Sequence, residues 1–296
     1  MRRAFAWMLL ASVLGWLNLA AAAGERPFLW EVQGRNGATV HLFGSIHLCR
    51  ADCFPLPASV VGAFDRADWL GVELDPGAAS VSERLMARAL YPADDSLDRH
   101  LDAELMRDLS AAVERFGLPP QALLKMKPWM AGTTVTLLAA MASGYSTEHG
   151  IDMWFVSRAR QQGKPVIELE TVDQQVDSLE RLSEREQRLL ILQAVRLLGE
   201  RGVEPYLDDM VEAWSSGDAE RLHRLSASGL DDAGQGERLL AAMVGERNRA
   251  MTRRIAERLG KPGRGFVVVG AMHLAGPGSI PELLRAAGFS VRQVGR

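Results

Sequence analysis

Two short stretches of this chain end an apolar run in the same way. "TVHLFGSIHL" carries Gly44 and His47, and "VVVGAMHLAG" carries Gly270 and His273. A lone Gly-x-x-His says little, since a histidine at a strand end is usually a hydrogen-bonded structural residue. Here the pattern occurs twice, each time fused to a strand-like run. Two more apolar runs end in acids: "LGVELD" in Glu73 and Asp75, and "VIELET" in Glu168 and Glu170. Acids at strand ends are commonly solvated or cap the next helix. Four runs all ending in His or Glu are harder to explain that way. Two neutral imidazoles with one or two carboxylates make a reasonable ligand set for a divalent metal, with a position left for water. Such an ion makes hydroxide available near neutrality. Without a metal, the same groups serve as a general acid and a general base.

A second polar feature sits on the helical stretch 237–259. Leu240, Val244, Met251, Ile255 and Leu259 form an apolar stripe at helical spacing. Asn248 falls on that stripe and Arg247 beside it. A buried amide or guanidinium needs partners. Asn248 is therefore expected either to bond a strand-end backbone or to face the site, where Arg247 would pair with a carboxylate or an anionic substrate. His149 lies in the loop signal "STEHGID", flanked by Glu148 and Asp152; the simpler reading is a solvated loop with Asp152 as the N-cap of the next helix, the other a ligand role. His41, His100 and His223 have no supporting context. There is no Gly-x-Ser-x-Gly, no phosphate-cradling loop and no His-Glu-x-x-His.

The elements that must carry these residues alternate. Strands are expected on both sides of Asn36-Gly37, a hairpin turn signal, and at 67–75, 164–170, 265–270 and 289–294. Helices are expected across 78–143, 153–163, 176–200, 237–259 and 281–287, with two short ones separated at Ser215–Asp218. This pattern is α/β: a mixed, largely parallel central sheet flanked by helices. The middle of the chain is so helical that an insertion or cap is expected, over roughly 78–160 and 176–260. In such sheets functional groups gather beyond the carboxyl ends of the strands. Gly44 and Gly270 are expected to let the backbone turn tightly as each strand leaves the sheet, so that His47 and His273 share one edge.

The chain has 296 residues, 47% apolar and 24% charged, with a net charge of −3. That is room for one large α/β domain with a sizeable core, and it gives no basic footprint for nucleic acid. Arg2 and Arg3, the apolar run from Ala4 to Leu17 and the small residues Ala21–Ala23 have the form of a secretory signal peptide over 1–23. The mature chain, 24–296, is then expected in the periplasm or outside the cell, with no membrane span retained. In that compartment the only cysteines, Cys49 and Cys53, are expected to form a small-loop disulfide bracing the segment after His47.

The ordered set "LFGSIHL", "WLGVELDP", "KPWMAG", "GIDMWFVSRARQQGKPVIELET", "AWSSGD", "ERNRAMTRRI" and "FVVVGAMHLAGPGSIPELLRAAGFSV" resembles the TraB/GumN family, over nearly all of the mature chain. The family is related to the Tiki metalloproteases and more distantly to erythromycin esterase-like and ChaN-like proteins. The resemblance implies an α/β domain with Gly44, His47, Glu73, Gly270 and His273 in one site, supported by Glu170, Arg247 and Asn248. It implies a metal-dependent, peptidase-like hydrolase. His47 and His273 would be its ligands or acid/base groups and Glu73 a ligand or the base that activates water, with Mn, Co or Zn as the ion and a peptide or small molecule as the substrate. Arg247 would stabilise developing negative charge. A ligand-binding protein using the same pocket for a metal complex, haem or peptide, or a metal-independent esterase with a histidine base, would use the same residues.

Overall fold

The computed structural model describes residues 26–75, 77–198, 203–229 and 235–295. The segment read as a signal peptide lies outside the described residues. The first two strands, β1 (Leu29–Gln33) and β2 (Thr39–Ser45), pair antiparallel across a turn in which Asn36 and Gly37 both take positive φ, 59° and 75°. That is the conformation for which Asn-Gly is suited. There follow α1 (Ala58–Asp65), β3 (Trp69–Val72), α2 (Ala79–Ala89), α3 (Ala103–Glu114), α4 (Pro128–Ala142), α5 (Ile151–Gln161) and β4 (Val166–Glu168). A helical run comes next: α6 (Val172–Glu180), α7 (Glu184–Leu197), α8 (Glu204–Ser215), α9 (Ala219–Gly229) and α10 (Gly236–Leu259). Then come β5 (Arg264–Gly270), α11 (Ile280–Ala286) and β6 (Ser290–Gln293).

The six strands form one sheet in the order β4-β3-β5-β2-β1-β6. The four strands β4, β3, β5 and β2 run parallel, and β1 is antiparallel to both its neighbours. The fold is therefore α/β with a mixed, mostly parallel sheet. Phe266, Val267, Val268 and Val269 of the central β5 are all buried, which is why that strand reads as a continuous apolar run. Around it Phe43, Phe64, Phe155 and Phe266 pack ring against ring, with centroids 5.0–6.1 Å apart.

Helices occupy both intervals read as insertion. A separate apolar cluster joins α3, α4 and α7 through Leu105, Leu109, Val135 and Ile191. No helix of the described residues is long and apolar enough to cross a membrane.

Two expectations change. The single helix expected over 176–200 is two helices, α6 and α7, because Ser183 and Glu186 form a capping box that starts a new one; Thr171 and Gln174 form another at the start of α6. Gly44 does not turn the chain out of the sheet. It lies inside β2, opposite Val269, and its φ is not positive. It is glycine for space: a Cβ there would stand 2.4 Å from Phe28 Cδ1 and 3.1 Å from Ala271 Cα.

Candidate active site at the carboxyl edge of the sheet

The parallel strands deliver their last residues to one edge in sheet order. Glu170 follows β4, Glu73 follows β3, Gly270 ends β5, and His47 follows β2. The register sets Ser45 opposite Gly270, so the two Gly-x-x-His segments leave the sheet side by side. After Gly270 the chain forms a short 3-10 turn, Ala271–Leu274, which carries His273 back beneath the edge.

Glu73 is the hub. Its Oε1 accepts the Gly270 N–H at 2.5 Å, and its Oε2 accepts from Arg247 Nη2 at 2.6 Å. Arg247 reaches across from α10 and also grips Glu170, through Nε at 2.8 Å and Nη2 at 2.6 Å. The Glu170 side chain is wholly buried, and this two-pronged contact supplies its countercharge. Burial alone would push the Glu73 carboxyl up. The charge and hydrogen bond of His273, with Arg247 and His47, instead hold it well below the usual carboxylate value. Arg247, raised in turn by both carboxylates against the cost of burial, stays a cation.

Each histidine has one ring nitrogen fixed by a partner. Asn248 donates through Nδ2 to the Gly278 carbonyl at 2.9 Å, which orients its amide and turns Oδ1 to His273 Nδ1 at 2.6 Å. His273 must therefore carry a proton on Nδ1, leaving Nε2 to face Glu73 Oε1 at 3.5 Å. Asn248 thus faces the site, and the backbone carbonyl it bonds lies in the segment before α11 rather than at a strand end as expected. His47 Nδ1 meets Asp152 Oδ2 at 2.7 Å, and Ser45 Oγ donates to Asp152 Oδ1 at 2.5 Å. The Asp152 charge raises the His47 pKa to about 9. Burial would raise the Asp152 carboxyl, but His47 and Ser45 bring it below its ordinary value.

Gly270 stands where these groups converge. A Cβ there would lie 3.2 Å from Glu73 Oε1, 3.6 Å from His47 Nε2 and 3.7 Å from His273 Cδ2. His47 Nε2 and Glu73 Oε1 are thus no farther apart than two of those distances laid end to end. The glycine keeps this space open and serves no turn of its own: its φ of −51° suits any residue.

Asp152 is the residue that sequence reading missed. It is not a helix cap; Gly150 precedes α5, and Asp152 sits in the first turn. The loop before it is docked onto the His47 segment. Cys49 and Ser146 exchange backbone hydrogen bonds, and the Ile151 N–H reaches the Ile46 carbonyl at 3.1 Å. Cys49 and Cys53 are joined by a disulfide just beyond. The remaining strand-end acids stay outside the cluster. Asp75 pairs with Arg160 at 2.6 Å, and Glu168 accepts the Asp75 N–H at 3.0 Å. Alternation along a strand does not extend past its end, and β3 and β4 end before these pairs are complete.

The cluster opens into a cavity of about 890 Å³, lined by His47, Glu73 and Asp152 and by the apolar Leu74, Leu85 and Trp154. A second cavity of about 430 Å³, between α4 and α7, is also lined by His47.

The model of the TraB/PrgY/gumN family matches residues 28–293, a span that includes every residue of this cluster. The chain belongs to the TraB/PrgY/gumN family. Among curated proteins it is 29% identical to the uncharacterized protein YbaP of Escherichia coli (strain K12) over 255 residues, covering 83% of this chain and 87% of that one. YbaP of Shigella flexneri matches equally, and an uncharacterized protein of Treponema pallidum (strain Nichols) is 24% identical over 274 residues, 88% of this chain and 80% of that one. No solved structure matches the chain.

Proposed function

We propose that the chain is a hydrolase of carboxylic acid derivatives, a peptide or ester bond, with its site at the carboxyl edge of the sheet. One observation carries the reading: His47 Nε2 and Glu73 Oε1 face the space held open by Gly270, and the His273 ring stands beside them. Both histidines are anchored at Nδ1, which fixes the nitrogen left for chemistry. The base is the neutral His273 ring, formed when the resting imidazolium beside Glu73 gives its Nε2 proton to solvent; a water in that space then gives up its proton to Nε2 as it attacks the carbonyl carbon. Glu73 Oε1, 3.5 Å from that nitrogen, stabilises the imidazolium that forms. The more exposed His47 donates from Nε2 to the leaving group. Solvent then restores both rings. Arg247, engaged by Glu73 and Glu170, acts as a positioning residue that holds the Glu73 carboxylate in place.

A divalent ion, Mn, Co or Zn, is the cofactor the resemblance implies, and His47, His273 and Glu73 are the residues that would hold it. Their donor types and their anchoring through the far ring nitrogen fit such an ion. Their present spacing is not a finished ligand set: among the described residues no three or more His, Cys, Asp or Glu are grouped to hold a metal. A bound ion would supply a water of lowered pKa and, by taking the free Nε2 of each ring, would stand in place of the proton transfers through His273 and His47. Residence outside the cytoplasm belongs to the same proposal and is supported by the Cys49–Cys53 disulfide.

The test uses the full chain, a peptide panel and an ester panel, with and without chelator, and metal analysis of the purified protein. Hydrolysis is expected, with a loss of about a hundredfold or more in His273→Gln and Glu73→Gln. Its rate should fall as pH rises through about 9, where His47 loses its proton. Loss of activity in chelator would bring the ion into the mechanism. Full activity in both variants overturns the site, and ligand retention without product in either panel would make the pocket that of a binding protein.

A further inference from the structure

The cavity between α4 and α7 is not needed by the acid–base groups, yet it opens at His47. It shares His47 and Thr147 with the larger cavity, so the two meet at the imidazole. Their linings differ. The larger one carries the charged groups Glu73, Glu148 and Asp152. Among the described residues, the lining of the smaller one carries no charge other than His47; Leu48, Leu137, Leu179, Leu190 and Met243 supply much of its wall, and of its polar members Thr133 and Thr136 donate their hydroxyls to carbonyls of α4, which leaves Thr147, Gln193, Tyr206 and the Trp129 indole. An uncharged cleft of this kind disfavours any charged arm, which would lose its hydration there. Its walls are helical, and the backbone of a helix interior is already hydrogen-bonded within itself. An extended peptide in this cleft would find only a few scattered side chains for its amides and carbonyls, whereas a hydrocarbon chain requires no such partners.

We propose that the α4–α7 cleft binds an unbranched acyl chain, so that the substrate is an ester or amide of a medium-chain or long-chain carboxylic acid. The chain would lie in the cleft, the carbonyl at the His47–Glu73 edge and the leaving group in the larger cavity. This rests on the hydrolase reading for its chemistry but not for its binding, so the two can fail separately.

The binding arm uses methyl ketones from 2-pentanone to 2-undecanone, uncharged carbonyl compounds with no hydrolysable bond, measured by calorimetry on the full chain. Affinity should rise about fourfold per methylene until the cleft is filled. Thr133 lines the cleft and is exposed, so Thr133→Trp can obstruct it without entering the core. That variant should lose at least tenfold of the affinity for 2-undecanone while keeping its thermal midpoint. In the kinetic arm, p-nitrophenyl esters from acetate to decanoate should show the same rise in kcat/KM. Thr133→Trp should remove the rise and leave acetate hydrolysis unchanged. Length-independent affinity, or an unobstructed Thr133→Trp, overturns the acyl cleft. Ketone binding with no ester or amide turnover sinks the hydrolase reading and leaves the cleft standing. Saturable binding of apolar peptides in place of ketones would assign the cleft to peptide and refute the acyl chain.

Discussion

At the residue scale the site depends on what is small as much as on what is charged. Gly270 is not required by its backbone angles, so alanine is conformationally permitted there. Its Cβ would nevertheless stand 3.2 Å from the Glu73 oxygen that accepts the Gly270 N–H. Glu73 cannot yield freely because Arg247 holds its other oxygen at 2.6 Å. Gly270→Ala should therefore displace the hub by a few tenths of an ångström. Activity is expected to fall about tenfold or more, since small misplacements in a catalytic constellation are costly. The thermal midpoint should stay within a few degrees of the parent. Wild-type kinetics in Gly270→Ala would show that the space beside this glycine is not where the reaction occurs. The sequence singled out this glycine but for the wrong reason. A repeated Gly-x-x-His is legible; the oxygen that comes within contact of the missing Cβ is not, because Glu73 is 197 residues away. Asp152 fails the same way. Its local context, just before a helical pattern, reads as a cap, and its real partner His47 lies 105 residues back along the chain.

At the scale of elements, the strands were legible because buried parallel strands are written as unbroken apolar runs, and Asn36-Gly37 announced its own turn. Their order was not. β5, last of the parallel strands in sequence, enters between β3 and β2, and no local pattern records an insertion of that kind. The order matters because it alone sets His273 between Glu73 and His47. The link from β2 to the rest is held by the segment 46–53, which docks on the 145–151 loop and is closed by Cys49–Cys53. A loop this short adds about 2 kcal/mol on the chain-entropy account of disulfides. The double variant Cys49→Ser/Cys53→Ser should lose an amount near that in urea denaturation. It should lose activity beyond it, because the same segment fixes the backbone on both sides of the His47–Asp152 pair. Equal activity under conditions where both proteins are fully folded would restrict the disulfide to stability alone.

At the scale of the molecule, the cluster makes folding depend on pH from both sides. Glu73 and Asp152 have native pKa values below their ordinary ones. Unfolded, they titrate near pH 4. Their contribution to stability is present above that pH and is lost as pH falls through the lower native values, because the unfolded chain then takes up protons that the native one resists. His47 has the opposite sign. Its native pKa is raised to about 9 from 6.5, so its contribution is complete below 6.5 and disappears as pH rises through about 9. The ring is 67% exposed, and solvent screens an exposed pair strongly. The alkaline slope should therefore be shallow and the acid slope steep. Urea denaturation from pH 3 to pH 10 should show greatest stability between about pH 5 and pH 6.5. Glu73→Gln should flatten the acid limb, leaving Arg247 with Glu170 as its partner, and His47→Gln should remove the alkaline slope and, by taking away the partner of Asp152, shrink the acid limb as well. An acid limb of unchanged steepness in Glu73→Gln would mean that the carboxylate is not held in its charged form by its neighbours, and the electrostatic account of the cluster would fall with it.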